Sequence, residues 1–273
     1  VAGVVEKRQT LPVLSNILLD VKGKQLSLTG TDLEVELVGR VALEEVILEG
    51  EITVPGKKLM DIVRSLPDGS MIEFEQDEQR INIRSGRSRF TLSSLPATEF
   101  PNIEEIDGEQ PFTVEQAKLR RVIDRVAFAM AQQDVRYYLN GMLLEVNASS
   151  LRSVATDGHR LATCIVDASG PETQLQLIVP RKGILELSKL LTEPEDSVTL
   201  LLSPYHIRAE TGDFTFTSKL VDGKFPDYGR VIPKNGNKVI LADRQELRQV
   251  FARTAILSNE KYRGVRVVLN SGN

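Results

Sequence analysis

The chain has few of the residues on which most catalytic and metal-binding sites depend. Of its 273 residues, one is a cysteine, Cys164, and two are histidines, His159 and His206. A single cysteine excludes a disulfide framework and a cysteine-rich metal site, and it fits a reducing, cytosolic compartment. The chain also lacks a Gly-x-Ser-x-Gly motif, a phosphate-binding Gly-Lys-Ser/Thr loop and a metal-ligand cluster. We therefore expect no catalytic residues, no metal and no cofactor.

Long apolar runs are missing too. No run approaches the roughly 20 residues that a membrane-spanning helix needs, and no signal peptide is visible. Hydrophobic residues make up 41% of the chain, so disorder is not expected, and the net charge of −4 argues weakly against a protein that coats nucleic acid.

The chain repeats itself at a spacing of 125 residues. Residues 52–57 (ITVPGK) return as residues 177–182 (LIVPRK), and Asn16 returns, displaced by one, as Asn140. A period of this length is a domain and not a solenoid unit. The other pairs at this spacing are Thr31-Asp32 with Thr156-Asp157, Leu95 with Leu220, and Phe100-Pro101 with Phe225-Pro226.

Strands with a few short helices are predicted, an α+β chain. Residues 25–28, 80–83, 89–92 and 214–217 alternate at period two, which is typical of strands. Helices are predicted at 55–66 and 180–191, each opened by a proline, and at 113–130 and 243–256, each with an apolar face. The last two each precede a predicted strand, at 138–142 and at 265–268.

This order of helix and strand predicts a third copy that begins near residue 231. Residues 1–5 would then be the tail of the matching helix in the first copy, so we expect both ends of the chain to be cut. The predicted domains are residues 1–106, with an incomplete N-terminus, 107–229, and 230–273, the start of a truncated third copy.

Positive charge is concentrated on the predicted helices. They carry thirteen basic and six acidic residues, a net charge of +7, which leaves −11 for the rest of the chain. This charge distribution is typical of a protein that binds a polyanion through its helices alone. For any single helix, an ordinary solvent-exposed charged surface is an equally good interpretation.

Residues that recur in both copies are expected to serve the shared fold, whereas residues present in one copy only are not needed for it. Thr31-Asp32 and Thr156-Asp157 recur, which predicts a turn stabilised by side-chain hydrogen bonds. The residues after them differ, because 33–35 read Leu-Glu-Val whereas 158–160 read Gly-His-Arg, and Glu105 corresponds to Arg230. Two other hypotheses stay open here: a hydrolase built around Asp157 and His159, and a β-rich peptide-binding adaptor without a DNA role.

Several long blocks resemble the bacterial sliding-clamp family, the beta subunits of the replicative DNA polymerase III. The resemblance covers essentially the whole chain. The blocks are residues 28–34, 84–90, 134–142, 154–162, 216–228 and 256–261.

The resemblance implies tandem clamp domains, with antiparallel sheets outside and helices lining a central pore. Two subunits would close head to tail into a ring around duplex DNA, bound without regard to sequence. The implied function is that of a non-enzymatic processivity factor, bacterial, cytoplasmic and nucleoid-associated. It would tether the polymerase III alpha subunit, the clamp loader, other polymerases and repair proteins through short linear motifs, with no membrane role.

The resemblance also implies three sets of site residues. The partner-peptide groove would contain Leu139, Thr156, Gly158, His159, Arg160, Leu161, Pro226, Arg230 and Val231. DNA would meet the helix residues Lys57, Lys58, Arg64, Lys118, Arg121, Arg125, Arg181, Lys182, Lys189 and Arg248 and the loop residues Arg8, Gln133, Tyr137 and Tyr138, the two tyrosines being equally well read as plain strand residues. The subunit contact would use Lys58, Arg87, Arg89, Phe90 and Leu92 on one side and Ile256 and Leu257 on the other.

Overall fold

The computed structural model describes residues 1–5, 11–101, 110–259 and 264–270. They form two compact units, residues 1–225 and 226–273. The first unit holds both complete copies of the repeat.

The first copy is a four-stranded and a three-stranded antiparallel arrangement linked by one helix. Its elements are β1 (Asn16–Lys22), β2 (Gln25–Thr31), β3 (Val35–Ala42), β4 (Gly50–Pro55), α1 (Gly56–Ser65), β5 (Glu73–Asp77), β6 (Arg80–Ser85) and β7 (Ser88–Ser93).

The second copy repeats this order and adds a strand and a helix before it. Its elements are β8 (Gln110–Glu115), α2 (Gln116–Asp124), β9 (Gly141–Val146), β10 (Ser150–Thr156), β11 (Leu161–Asp167), β12 (Leu175–Pro180), α3 (Arg181–Leu190), β13 (Ser197–Leu202), β14 (His206–Thr211) and β15 (Phe214–Lys219). Strands β2 and β10, strands β4 and β12, and helices α1 and α3 are each offset by 125 residues, as the sequence predicts.

One sheet runs through both copies. Its strand order is β4-β1-β2-β3-β15-β14-β13-β8, and the two other sheets are β11-β10-β9-β12 and β5-β6-β7. The copies join where β3 pairs antiparallel with β15, in a register that runs from Phe214 opposite Gly39 to Ser218 opposite Val35. Continuous backbone hydrogen bonding at this seam fixes one copy on the other.

Each copy has its own apolar core. Ile17, Val54 and Ile83 belong to the first, whereas Leu119, Met142 and Ile184 belong to the second. The core of the second copy also takes in Val35 and Leu37 from β3, so the seam between the copies is itself packed.

Helices α1 and α3 begin where the prolines predict. Pro55 and Pro180 are the residues immediately before them, and the fixed φ of proline suits a helix start. Each helix buries one stripe, which includes Leu59 in α1 and Ile184 and Leu187 in α3. In α1 the charged residues Lys57, Lys58, Asp61 and Arg64 are exposed, whereas in α3 Glu186 is buried and Lys182 is only 26% exposed.

The predicted helix 113–130 is wrong at both ends. Residues 110–115 form β8, because Phe112 and Val114 alternate with exposed neighbours and pair with β13. The helix α2 ends at Asp124, and a short 3₁₀ turn follows at Ala127–Ala129, where Val126 and Ala129 enter the core.

Three smaller predictions are also wrong. The strand expected at 138–142 begins at Gly141, because Tyr137–Leu139 form a 3₁₀ turn. Residues 264–270 have no regular structure, since a strand without a paired neighbour lacks its hydrogen-bond ladder. Residues 1–5 form a turn and not the end of a helix.

The second unit contains the helix α4 (Arg244–Ala255). Asp243 caps it by accepting a hydrogen bond from the backbone N–H of Glu246 at 2.8 Å, as expected of an N-terminal aspartate. In the part of the chain that the structure describes, no helix is long and apolar enough to cross a membrane.

Candidate nucleic-acid and peptide interfaces

The recurring Thr-Asp pair builds the same turn in both copies. In the first, Asp32 Oδ1 accepts from the backbone N–H of Glu34 at 3.0 Å and of Val35 at 2.7 Å. In the second, Asp157 Oδ1 accepts from His159 at 2.9 Å and Arg160 at 3.0 Å. The predicted side-chain-stabilised turn is confirmed.

The second carboxylate oxygen distinguishes the copies. Asp157 Oδ2 accepts from Nε of Arg160 at 3.0 Å, inside the same turn. Asp32 Oδ2 accepts from Nζ of Lys182, so this ion pair crosses from the first copy to the second. Burial raises the pKa of Asp157, but the hydrogen bonds from His159 and Arg160 outweigh burial and lower it below its usual value.

The loop that precedes β9 is hydrogen-bonded to the Asp157 turn of the second copy. The Asn140 side chain accepts from the backbone N–H of Asp134 at 2.9 Å and donates to its carbonyl at 2.8 Å. Arg136 binds both carboxylate oxygens of Asp134, at 3.0 and 2.8 Å, and these hydrogen bonds lower the pKa of Asp134 to about 2. Nη2 of Arg136 also donates to the Asp157 carbonyl at 3.3 Å, which ties the loop to the turn.

The hydrolase hypothesis does not survive this geometry. The Asp157 carboxylate is engaged by two backbone N–H groups and by Arg160, and within the described ranges it makes no hydrogen bond to the His159 imidazole. A base without its orienting carboxylate lacks the arrangement that activates a nucleophile. Among the described residues there is also no group of three or more potential metal ligands.

The predicted groove residues fall into both compact units. In the first unit, Gly158, His159 and Arg160 are exposed, Leu161 is half-buried and Leu139 is buried at 2% exposure. The Thr156 hydroxyl is used within the turn, where it donates to the Arg160 carbonyl at 2.6 Å. In the second unit lie the exposed residues Pro226, Arg230 and Val231, with Arg230 paired to Asp227 at 2.8 Å.

The four α-helices found in the described ranges carry the same net charge. Each of α1, α2, α3 and α4 contains three basic residues and one acidic residue, a net of +2, in a chain whose total is −4. The surplus on each helix supports a helical face directed at a polyanion.

The predicted helix contacts to DNA are not all equally available. Six are exposed and form no ion pair with any described residue: Lys57, Lys58, Arg64, Arg121, Arg125 and Arg248. Three others are paired on their own helix or nearby: Lys118 with Glu115 at 2.8 Å, Lys189 with Glu186 at 2.6 Å, and Arg181 with the Ala127 carbonyl at 3.4 Å. Arg248 is exposed on α4.

Lys182 is the predicted helix contact that is bound to the other copy. Its ammonium group binds Asp32 and donates to the Val4 carbonyl at 3.0 Å, both in the first copy, and its side chain is only 26% exposed. Lys182 therefore links the two copies of the repeat.

The predicted loop contacts are grouped in one place, except Arg8, which lies outside the described residues. Gln133 is exposed and has φ of +56°, an uncommon value for a residue with a side chain. Tyr137 and Tyr138 pack edge to face, with ring centroids 5.8 Å apart, in a 3₁₀ turn and not in a strand.

The predicted subunit-contact residues lie at the end of the first copy and in the second unit. Lys58, Arg87 and Arg89 are exposed, and Phe90 is half-buried on β7, an edge strand of its sheet. Leu92 is 8% exposed and belongs to the core. Ile256 and Leu257 are 78% and 94% exposed.

Three residues near the turn are not predicted by the sequence: Asp134, Arg136 and Phe128. The Arg136 contact to Asp157 spans 21 positions, and no local pattern announces such a pair. Phe128 lies inside what reads as a continuous amphipathic helix, so its exposure is visible only once α2 is seen to end earlier.

Family models for the DNA polymerase III beta subunit match almost the entire chain. The N-terminal domain matches residues 1–104, the central domain residues 113–227 and the C-terminal domain residues 229–273.

Curated relatives and solved structures agree with these matches. The beta sliding clamp of Pseudomonas aeruginosa is 66% identical over 273 residues, all of this chain and 74% of that protein, and that of Escherichia coli K12 is 51% identical over 270 residues, 99% and 74% respectively. The crystal structure of a DnaN sliding clamp from Pseudomonas aeruginosa bound to griselimycin superposes with a TM-score of 0.94 at 66% identity, over 99% of this chain and 73% of that one. The Caulobacter crescentus pol III beta structure gives a TM-score of 0.85 at 41% identity, over 94% and 72%.

These matches decide between the function classes left open by the residues alone. The family is non-enzymatic: its members encircle DNA as a homodimeric ring, bind polymerase and clamp loader, and keep the polymerase on its template. With three domain models matched in order and relatives at 66% identity, the chain belongs to the DNA polymerase III beta subunits, the bacterial sliding clamps.

Proposed function

We propose that this clamp meets DNA through basic residues on or next to its α-helices and through loop residues. The observation that carries the proposal is the net charge of +2 on each α-helix of the described residues, in a chain whose total charge is −4. The proposed contacts are Lys57, Lys58, Arg64, Lys118, Arg121, Arg125, Arg181, Lys189 and Arg248 with the loop residues Arg8, Gln133, Tyr137 and Tyr138. Each basic residue adds a contact to phosphate that is independent of sequence and sensitive to salt.

The partner-peptide groove is proposed around the turn after β10. Its contributors are Leu139, Thr156, Gly158, His159, Arg160 and Leu161 in the first unit and Pro226, Arg230 and Val231 in the second. Exposed polar groups beside the half-buried Leu161 suit a short motif that inserts apolar side chains and is oriented by a few polar contacts.

The subunit contact is proposed to combine an apolar centre with a charged rim. Phe90, an aromatic residue on the edge strand β7, supplies the apolar part, with Leu92 behind it in the core and Lys58, Arg87 and Arg89 around it. Ile256 and Leu257 of a neighbouring subunit would cover it. Exposed apolar side chains of this size are typical of interface centres.

The chain is proposed to contain clamp domains at residues 1–106 and 107–229 and part of a third at 230–273. A location in the bacterial cytoplasm, associated with the nucleoid, fits a chain with a single cysteine and a DNA partner.

The DNA proposal is tested by the salt dependence of binding to a short fluorescein-labelled duplex. In the complete subunit, Arg121→Gln combined with Arg125→Gln removes two of the proposed phosphate-binding charges. The slope of log K against log salt should become shallower by about 0.9 for each phosphate that the variant no longer neutralises.

The matched control is Lys24→Gln combined with Arg80→Gln, which removes two exposed charges from a turn and a strand. We expect this pair to leave the slope unchanged. Equal slopes for the two variants would overturn the assignment of DNA contacts to the helices.

A further inference from the structure

Phe128 is an exposed aromatic side chain on a rigid backbone. It lies in the 3₁₀ turn Ala127–Ala129, between Val126 and Ala129, which are both 0% exposed. Phe128 itself is 59% exposed. The buried neighbours fix the backbone, so the ring is held at one place on the surface.

The ring contacts a predicted groove residue. The guanidinium carbon of Arg160 lies 5.4 Å from the centroid of the Phe128 ring, within the range of a cation–π interaction. The same guanidinium donates through Nε to Asp157 at 3.0 Å. Held by a carboxylate and an aromatic ring, Arg160 loses much of the freedom that a long exposed side chain has.

The pairing of these two residues is a specialisation of the second copy. The first copy makes the same turn around Asp32, but Val35 stands where Arg160 stands and is fully buried. At a spacing of 124 or 125 residues, Phe128 corresponds to Val4 or Gly3, neither of which is aromatic. The fold of the repeat therefore does not require the Phe128–Arg160 contact.

The charges around the turn leave Arg160 able to bind a further anion. Asp134 is occupied by Arg136, and Asp157 is occupied by its own turn. Within the described part of the chain, the two terminal nitrogens of Arg160 make no hydrogen bond, so they can bind a carboxylate end-on.

We propose that Phe128 and Arg160 form a subsite for an acidic side chain of the partner's linear motif. Arg160 binds the carboxylate, and Phe128 is a positioning residue that holds the guanidinium and covers the aliphatic part of the same partner side chain. The subsite is continuous with the proposed groove through Leu161, and it rests on that proposal.

The test uses the complete clamp and a fluorescein-labelled peptide from the clamp-binding segment of the polymerase III alpha subunit. A second peptide has its acidic residues changed to the amides. Phe128→Leu keeps apolar volume but removes the π face, and it should weaken binding of the acidic peptide about two- to fivefold. Phe128→Trp should restore binding, and the amide peptide should respond to neither change.

Phe74→Leu is the matched control, because Phe74 is an exposed phenylalanine on β5 of the first copy. It should leave both affinities unchanged. Unaltered binding of the acidic peptide to Phe128→Leu, or equal losses for both peptides, would overturn the subsite.

A separate variant distinguishes failure of the subsite from failure of the groove. If Leu161→Ala weakens both peptides while Phe128→Leu weakens neither, the groove stands and the subsite falls. If Leu161→Ala also has no effect, the groove proposal falls and the subsite falls with it.

Discussion

At the scale of single residues, one backbone position shows how a shared turn can be specialised. Leu33 in the first copy and Gly158 in the second both have positive φ, +77° and +87°. A Cβ on Gly158 would lie 2.9 Å from a terminal nitrogen of Arg136, so glycine makes room for that guanidinium. Because Gly158 has no side chain, the loop that carries Arg136 can pack against the Asp157 turn in the second copy.

We predict that Gly158→Ala lowers the free energy of unfolding by about 1–2 kcal/mol, because an L-residue is strained at this φ and displaces Arg136. Leu33→Ala is the control, since Leu33 already has a Cβ at the equivalent position, and it should change stability by less than about 0.5 kcal/mol. Urea denaturation of both variants measures this. An equal loss of unfolding free energy in the two variants would show that the space Gly158 leaves for Arg136 does not contribute to stability.

The Asp134–Arg136 pair predicts a pH dependence. The pKa of Asp134 is lowered to about 2 by Arg136, so the carboxylate contributes stability above its unfolded pKa, and this is lost as pH falls through the folded value. The melting temperature of the natural chain should exceed that of Asp134→Asn near neutral pH. The difference should narrow between about pH 4 and pH 2. A difference in melting temperature that stays constant across this pH range would contradict the stabilising role of the Asp134–Arg136 ion pair.

Local sequence predicts the turns but not what they contact. The recurrence of Thr31-Asp32 as Thr156-Asp157 is sufficient to predict a hydrogen-bonded turn, because the bonded groups lie two to four residues apart. The contacts of Arg136 with Asp157, of Phe128 with Arg160 and of Lys182 with Asp32 and Val4 depend on how strands and loops pack. These partners lie 21 to 178 positions away.

At the scale of elements, α1 and α3 are the same helix used in two ways. Lys57 and Lys182 occupy equivalent positions near their starts, yet Lys57 is exposed whereas Lys182 is bound to Asp32 and Val4 of the other copy. The equivalent lysine is therefore a surface charge in one copy and a link at the seam in the other.

We predict that Lys182→Met lowers the free energy of unfolding by about 2 kcal/mol, because the largely buried carboxylate of Asp32 loses its charged donor. Lys57→Met should change stability by less than about 0.5 kcal/mol. Thermal or urea unfolding compares the two. A Lys182 variant as stable as its Lys57 counterpart would show that the seam does not depend on this ion pair.

The limits of α1, α3 and α4 are predictable from this sequence, and those of α2 are not. Pro55 and Pro180 mark the beginnings of α1 and α3 because proline suits the start of a helix. The predicted α2 is too long at its end, because Val126 fits the helical period of Leu119, Val122 and Ile123 although it lies beyond the last residue of the helix. Pairing with β13, which is distant in sequence, decides the structure of residues 110–115.

At the scale of the whole molecule, the repeat explains both the architecture and its function. Two copies share one eight-stranded sheet, and each described α-helix carries a net charge of +2 in a chain whose net charge is −4. A ring built from such subunits holds DNA by enclosing it, so weak, sequence-independent contacts are sufficient, and strong ones would impede sliding.

The most direct test of this account is the retention of the complete clamp on DNA after loading by its clamp loader. The clamp is loaded on nicked circular DNA, and retention is followed at moderately high salt before and after the circle is linearised. Topological enclosure predicts persistence on circles and rapid loss from linear ends. Equal, salt-sensitive loss from both forms would mean that the protein is held by electrostatic attraction, and it would contradict the account.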